Sequence, residues 1–161
     1  MKKILFVLIA ISIYTSSFAQ QEFVYPAEDP VFSISFPNDW LVKLDETSLE
    51  SYPADESIYY GIVAMPEKAI EDAIDAADES VSGMFTDLQY DDPEEGEFNG
   101  INFVFMSGSG NLPDVGLCNI EIGIFTVDNV NFFMSLYFGT PEAEELHSEA
   151  IEYIVNSLSG L

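Results

Sequence analysis

Val31-Phe32-Ser33-Ile34-Ser35-Phe36 alternates apolar and polar residues at period two and stops at Pro37-Asn38-Asp39, the pattern of a strand that ends in a turn. A second extended segment runs from Trp40 to about Asp45, and a third, Tyr59 to Met65, is closed by Pro66. From Glu67 the period changes. Ile70, Ala73, Ile74, Ala77, Val81, Met84, Phe85 and Leu88 recur at three- and four-residue steps, which predicts a helix with Glu71, Asp72, Asp75, Asp78 and Glu79 on its outer face. Pro66 suits its first position, and Glu67, Glu71 and Asp72 complement the positive end of its dipole. Three strands rich in β-branched and aromatic residues follow, Ile101 to Met106, Leu117 to Val127 and Val130 to Phe138. A terminal helix begins with Thr140 as N-cap and Pro141 at N1. It buries Leu146, Ala150, Ile151, Ile154, Val155 and Leu158 before Ser159-Gly160 ends it.

The hairpin around Asp128-Asn129 decides which residues share a face. A two-residue loop pairs Ile124 with Phe133 and Ile122 with Ser135, mixing apolar and polar on both faces. A three-residue loop, Val127-Asp128-Asn129, pairs Ile124 with Phe132, Ile122 with Met134, Ile120 with Leu136 and Cys118 with Phe138. Every inward pair is then apolar, and Asn129 takes the left-handed position such a loop needs. The opposite face still carries Phe125, Phe133 and Tyr137 and so needs cover. The expected class is α+β, an antiparallel sheet with helices packed on both faces.

Composition narrows the functions open to such a fold. The 161 residues hold 29 acidic side chains against four lysines and no arginine, with 48% apolar residues, so the chain is a folding one with a very acidic surface. Lys2 and Lys3 lie in a leader-like start. There Ile4 to Tyr14 supply an apolar core too short to span a bilayer, and Ser17-Phe18-Ala19 places small residues at −3 and −1. Residues 1–19 therefore read as a signal peptide and 20–161 as a single domain, exported to the periplasm or beyond. The mature chain keeps Lys43 and Lys68 against 29 acids, a formal charge of −27. Phosphate backbones and anionic membrane surfaces both need a basic footprint, so nucleic-acid binding and membrane docking are excluded. A protein partner, if electrostatically attracted, is basic.

The residue types that carry chemistry are sparse. His147 is the only histidine; Glu144-x-x-His147 has the spacing of di-metal carboxylate sites, but those need a second such pair. It reads as a helix-surface histidine beside Glu144. Cys118 lies on the apolar parity of its strand with no arginine to lower its pKa, and reads as a buried, inert thiol. Gly108-Ser109-Gly110 reads as a flexible turn, without the context of a nucleophile elbow. Phosphate-binding glycine loops are missing from the sequence. The acidic run Asp91-Asp92-Pro93-Glu94-Glu95-Gly96-Glu97 supplies the one metal candidate, weak Ca²⁺ binding by Asp91, Asp92, Glu94 and Glu95 on a turn, although its spacing is not that of an EF-hand. No other cofactor is expected. Carboxylate pairs are too abundant for spacing alone to mark a hydrolase.

The order of elements, opened by Phe32-Ser-Ile-Ser-Phe36-Pro37-Asn-Asp-Trp40 and closed by Ile151-Glu-Tyr-Ile154-Val155-Asn-Ser157-Leu158, resembles the Mog/PsbP-like superfamily, including bacterial members of unknown function. The resemblance covers nearly all of the mature chain through pattern and order rather than a signature motif. It implies an α/β/α sandwich used mostly for binding or assembly. Superfamily members include photosystem II extrinsic subunits, a Ran-binding factor and bacterial chaperone-like adaptors. It also implies that Pro37 ends the first strand and that Trp40 packs on the sheet edge. This chain lacks the basic residues through which several members dock, so no specific partner carries over. The expectation is a non-enzymatic secreted binding or assembly module. The alternatives are an extracellular Ca²⁺-dependent module and a carboxylate-based hydrolase.

So large an acid excess repels itself when salt is low. The thermal midpoint of the mature chain is expected to rise between low salt and about 1 M NaCl, as screening shortens the range of repulsion. A flat response in a calorimetric salt series would remove self-repulsion as a factor in its stability.

Overall fold

A computed structural model describes residues 20–161; the expected signal peptide, residues 1–19, lies outside the described residues. The elements in chain order are β1 (Gln20–Tyr25), β2 (Phe32–Pro37), β3 (Leu41–Leu44), β4 (Ser48–Tyr52), β5 (Ile58–Met65), α1 (Ile70–Ser82), β6 (Thr86–Tyr90), β7 (Glu94–Phe98), β8 (Ile101–Leu112), β9 (Gly116–Thr126), β10 (Phe132–Gly139), α2 (Pro141–Ser157) and β11 (Ser159–Gly160). They form two antiparallel sheets. In the small one β2 lies between β1 and β11. The large one runs β3-β4-β5-β10-β9-β8, with β7 paired to the first half of β8 and β6 to the second. The architecture is mostly antiparallel sheet with two helices.

Period-two alternation in the central strands builds two cores. Directly opposed residues of an antiparallel pair share a face. One face carries Met106, Ile122 and Leu136 in one rung and Ile124 and Met134 in the next, and it packs with Ala73, Ala77 and Val81 of α1. The other carries Phe103, Phe125 and Phe133 and packs with Phe32, Ile34 and Phe36 of β2 and with Ala143, Ile154 and Leu158 of α2. Phe32 meets Phe125 and Phe133 edge-on, with ring centroids 5.5 and 5.2 Å apart. Burying each such ring contributes about 1.5–3 kcal/mol.

The β9–β10 hairpin keeps the expected parity but not the expected register. Ile124 pairs with Met134, Ile122 with Leu136 and Ile120 with Phe138, a slip of two residues that leaves every inward pair apolar. The loop is longer because Asp128 organises it: its carboxylate accepts from Val130 N at 2.9 Å and Asn131 N at 2.8 Å. Asn129 is left-handed, at φ 60°.

Helix α1 starts later and ends earlier than its periodicity predicts. Residues 66–69 carry the chain from β5 into the helix layer; Ala69 stands at the N-cap, and Ile70 rather than Pro66 takes the first helical position. Beyond Gly83, Leu88 and Tyr90 alternate at the strand period, and pairing with β8, with a register shift between Thr86 and Gln89, draws residues 86–90 into β6. Gly108 and Gly110 are not a turn but lie within β8, where a Cβ on Gly108 would stand 2.2 Å from Gln89 O and one on Gly110 3.0 Å from Phe85. Both permit the close approach of the segment beside them. β1, β4, β6, β7 and β11 have no counterpart among the expected strands.

Helix α2 begins as predicted, with Thr140 Oγ1 accepting from Ala143 N at 3.2 Å and Pro141 at N1. Its buried stripe differs in one place: Leu146 is 72% exposed, and His147 turns inward instead. His147 continues the 143, 147, 150, 154 sequence of one helix face, whereas Leu146 falls beside it. Side chains fasten the helix end to both sheets. Ser157 Oγ accepts from Ser35 N at 2.8 Å, and Asn99 donates to Asn156 O and Leu158 O at 3.0 and 2.8 Å, pairing carbonyls the helix leaves free. Asn99-Gly100 forms the two-residue β7–β8 loop, both residues at positive φ.

Replacement of Leu146 by Lys is expected to change unfolding free energy by no more than about 0.5 kcal/mol, against a loss of about 2–5 kcal/mol for Ile154→Ala. Urea denaturation distinguishes the two, and equal losses would contradict the observed stripe.

Candidate functional site

The face of the large sheet that meets α2 changes character along the strands. Its rungs across β8, β9 and β10 are Phe103/Phe125/Phe133, then Phe105/Gly123/Ser135, then Ser107/Glu121/Tyr137, then Ser109/Asn119/Gly139. The first rung is a stack of three rings, with centroids 4.8 and 5.4 Å apart. From the second rung onward the side chains other than Phe105 are smaller or polar and cannot fill the layer beneath the helix. A cleft results. Its inner part is a slot of about 70 Å³ with Phe103, Phe105, Ile151 and Val155 among its walls. Its outer part is an open depression of about 440 Å³ lined by Gln89, Asp91, Ser107, Ser109 and Asn119. Glu121, Tyr137 and Glu144 border both and form the threshold between them.

Each threshold residue is placed by a different element. Glu121 comes from β9 and Tyr137 from β10, directly opposed, while Glu144 projects from the first turn of α2, where the helix dipole favours a carboxylate. Asn119 Nδ2 donates to Glu144 Oε2. Glu121 is open to solvent within a concave wall; desolvation there, and secondly the facing charge of Glu144, raise its carboxyl above the ordinary carboxylate range. Tyr137 is 7% exposed, and its hydroxyl has no hydrogen-bond partner among the described residues. Desolvation, then Glu144 and Glu121, push its phenol upward. The two lysines among the described residues lie elsewhere: Lys43 sits 5.0 Å above the Tyr52 ring, and neither Lys43 nor Lys68 lines the cleft.

The residues singled out from sequence do not assemble into one centre. Asp91 reaches the rim of the depression, its N–H donating to Ser107 O at 2.9 Å. Glu94 and Glu95 are neighbours on β7 rather than on a turn, so their side chains leave opposite faces, and Glu95 borders a separate depression near Phe125. Among the described residues no three His, Cys, Asp or Glu side chains are grouped to hold a metal ion. Cys118 is fully buried under α1, and desolvation raises its thiol pKa. His147 stands with Asp55, Nε2 to Oδ2 at 3.4 Å, and edge-on to Trp40, so Glu144 is not its partner. Trp40 is buried in the core with β2 and α2.

Glu121, Tyr137 and Asn119 escape a reading by motif. Ile120-Glu121-Ile122 looks like an outward acid between two inward apolar residues. The available signal is that Phe125, Phe133 and Tyr137 share the parity of Glu121, which places the acid under whatever covers them.

No family model matches the sequence, and no curated protein matches it. The architecture is that of the Mog/PsbP-like proteins. Among solved structures, the cyanobacterial PsbP protein CyanoP of Synechocystis sp. PCC 6803 is similar with a TM-score of 0.62 at 8% identity, covering 89% of this chain and 94% of that one. LpqN of Mycobacterium tuberculosis, described as involved in cell envelope biogenesis, has a TM-score of 0.56 at 16% identity, covering 93% and 96%. The Ran-binding protein Mog1p of Saccharomyces cerevisiae has 0.52 at 6%, covering 88% and 95%.

Glu121 gives stability a defined pH dependence. Because the Glu121 carboxyl is raised in the fold, its contribution is most favourable below the ordinary carboxylate pKa of about 4.3 and is lost as pH rises through the raised value. Glu121→Gln is therefore expected to raise the thermal midpoint at pH 7, with the gain vanishing near pH 4. Melting curves across that range check it; a gain independent of pH would separate the effect from ionisation.

Proposed function

We propose that this chain is an exported, non-enzymatic binding or assembly module, acting in the periplasm or outside the cell, that receives a basic partner at the cleft beneath α2. The two helices are taken as outer layers of an α/β/α sandwich, and the cleft opens where α2 leaves the sheet. The observation that carries the reading is the threshold of Glu121, Glu144 and Tyr137 between a polar depression and an apolar slot. Binding sites commonly combine an apolar wall with a few convergent polar groups. The fold shared with a Ran-binding protein and with a protein involved in cell envelope biogenesis supports a role in association. The thiol and the imidazole, the usual agents of nucleophilic catalysis, lie away from the cleft.

One observation favours a second reading. A carboxyl raised by desolvation opposite another carboxylate is the arrangement by which glycoside hydrolases divide acid and base roles. Under this reading Glu121 is the acid and Glu144 the base or nucleophile.

Ser107 is an exposed residue on the rim, and Ser107→Trp obstructs the depression without entering either core. With tagged mature protein and an envelope fraction, a basic partner is expected to be retained at about 50 mM salt and released at about 500 mM, as charges are screened. The Ser107→Trp variant is expected to lose it at both. Retention unaffected by the substitution would move binding to another face. Glycoside turnover abolished equally by Glu121→Gln and Glu144→Gln would establish the hydrolase instead.

A further inference from the structure

We infer that the cleft is built for a primary ammonium group carrying a short apolar substituent, with the ammonium at the threshold and the substituent in the inner slot. This rests on the cleft being the binding site. Three features converge on that chemistry. Glu121 and Glu144 border the same two spaces, and among the described residues no cationic side chain lines either of them. Two carboxylates held together inside a concave wall repel, and a cation between them reverses the sign of that interaction.

The second feature is independent of charge. The Tyr137 side chain is more than nine-tenths buried, its hydroxyl borders both spaces, and it has no partner among the described residues. Its oxygen supplies a third acceptor for an ammonium. An ammonium has three N–H donors, which matches Glu121, Glu144 and Tyr137. A metal ion suits the site less well, since among the described residues no three ligating side chains are grouped for one.

The third feature sets the substituent. Beyond the threshold the slot is walled by Phe103, Phe105, Ile151 and Val155 and measures about 70 Å³. A space of that size admits a short alkyl chain. The open depression on the other side, with Ser107, Ser109 and Asn119, leaves room for a polar continuation of the same molecule. The same chemistry is presented by a free alkylamine and by the amino terminus of a peptide whose first side chain is small and apolar.

Calorimetry and amide NMR on the intact mature protein test the assignment with n-butylammonium and with the peptide Val-Gly-Gly. Binding of either is expected, with perturbation of the Asn119 side-chain amide. Affinity is expected to fall about tenfold in Glu121→Gln and about fivefold in Tyr137→Phe, as one charged and one neutral partner are removed. Melting curves confirm that both variants are folded. Binding of butylammonium alone marks a free amine as the source, and tighter binding of the peptide marks an amino terminus. The assignment is overturned if n-butanol and N-acetylated Val-Gly-Gly bind equally well, if plain ammonium chloride binds as tightly, or if neither amine binds. When neither amine binds yet Ser107→Trp abolishes partner retention, the ligand chemistry fails and the binding reading stands. When the amines bind and Ser107→Trp leaves partner retention intact, the partner reading fails instead.

Discussion

A strand covered on both sides has no parity left for solvent, and β9 and β10 are in that position. Their even residues, Ile120, Ile122, Ile124, Met134 and Leu136, belong to the core under α1, while Phe125, Phe133 and Tyr137 belong to the core under β2 and α2. A one-residue slip would exchange the two sets, so this hairpin fixes the positions of the layers around it. A polar residue on either parity must then be satisfied locally or border a space. Glu121 borders a space, and the cleft follows from the same alternation that makes the cores.

The layer over the aromatic face is composite. The small sheet contributes Phe32, Ile34 and Phe36, and α2 contributes Ala143, Ile154 and Leu158. Polar contacts hold these two pieces in place, against each other and against the large sheet. Besides Ser157 and Asn99, the Gln21 side chain donates to Pro37 O and Trp40 O at 3.2 and 2.8 Å, tying β1 to the turn after β2. Ser33 and Ser159 hydroxyls meet at 3.1 Å across β2 and β11. Such bonds contribute about 1 kcal/mol each where they are shielded from water. Their larger effect is to set how far α2 lies across the sheet, and thereby the width of the opening beside Glu144.

Much of the fold was legible because alternation and helical period are strong signals where burial is one-sided or complete. Both helices, the central hairpin's parity and the Thr140-Pro141 start could all be read directly. Its register could not, because two loop lengths preserve parity and the choice between them lies with the Asp128 carboxylate. That slip of two had a functional cost: pairing Ile122 with Met134 sets Glu121 against Ser135 and hides its meeting with Tyr137. Asn99-Gly100 was a readable hairpin signal that the acidic run before it obscured. Leu146 and His147 exchange roles because hydrophobicity favours one and helix geometry the other, and geometry decides once Trp40 and Asp55 are in place. The slot depends on the lateral position of α2, which no local pattern encodes.

Strand β7 gives the acidic run a different significance. Among the described residues it pairs with β8 alone, which leaves its other side a sheet edge, and three of its five residues are Glu94, Glu95 and Glu97. An unpaired edge is a template on which another chain can add a strand. Two copies approaching edge to edge would bring these carboxylates against their own duplicates, with no arginine in the chain to relieve the encounter. The glutamates thus act as gatekeepers, keeping an otherwise adhesive border from nucleating intermolecular sheet, and that protection weakens as salt shortens the reach of the charges.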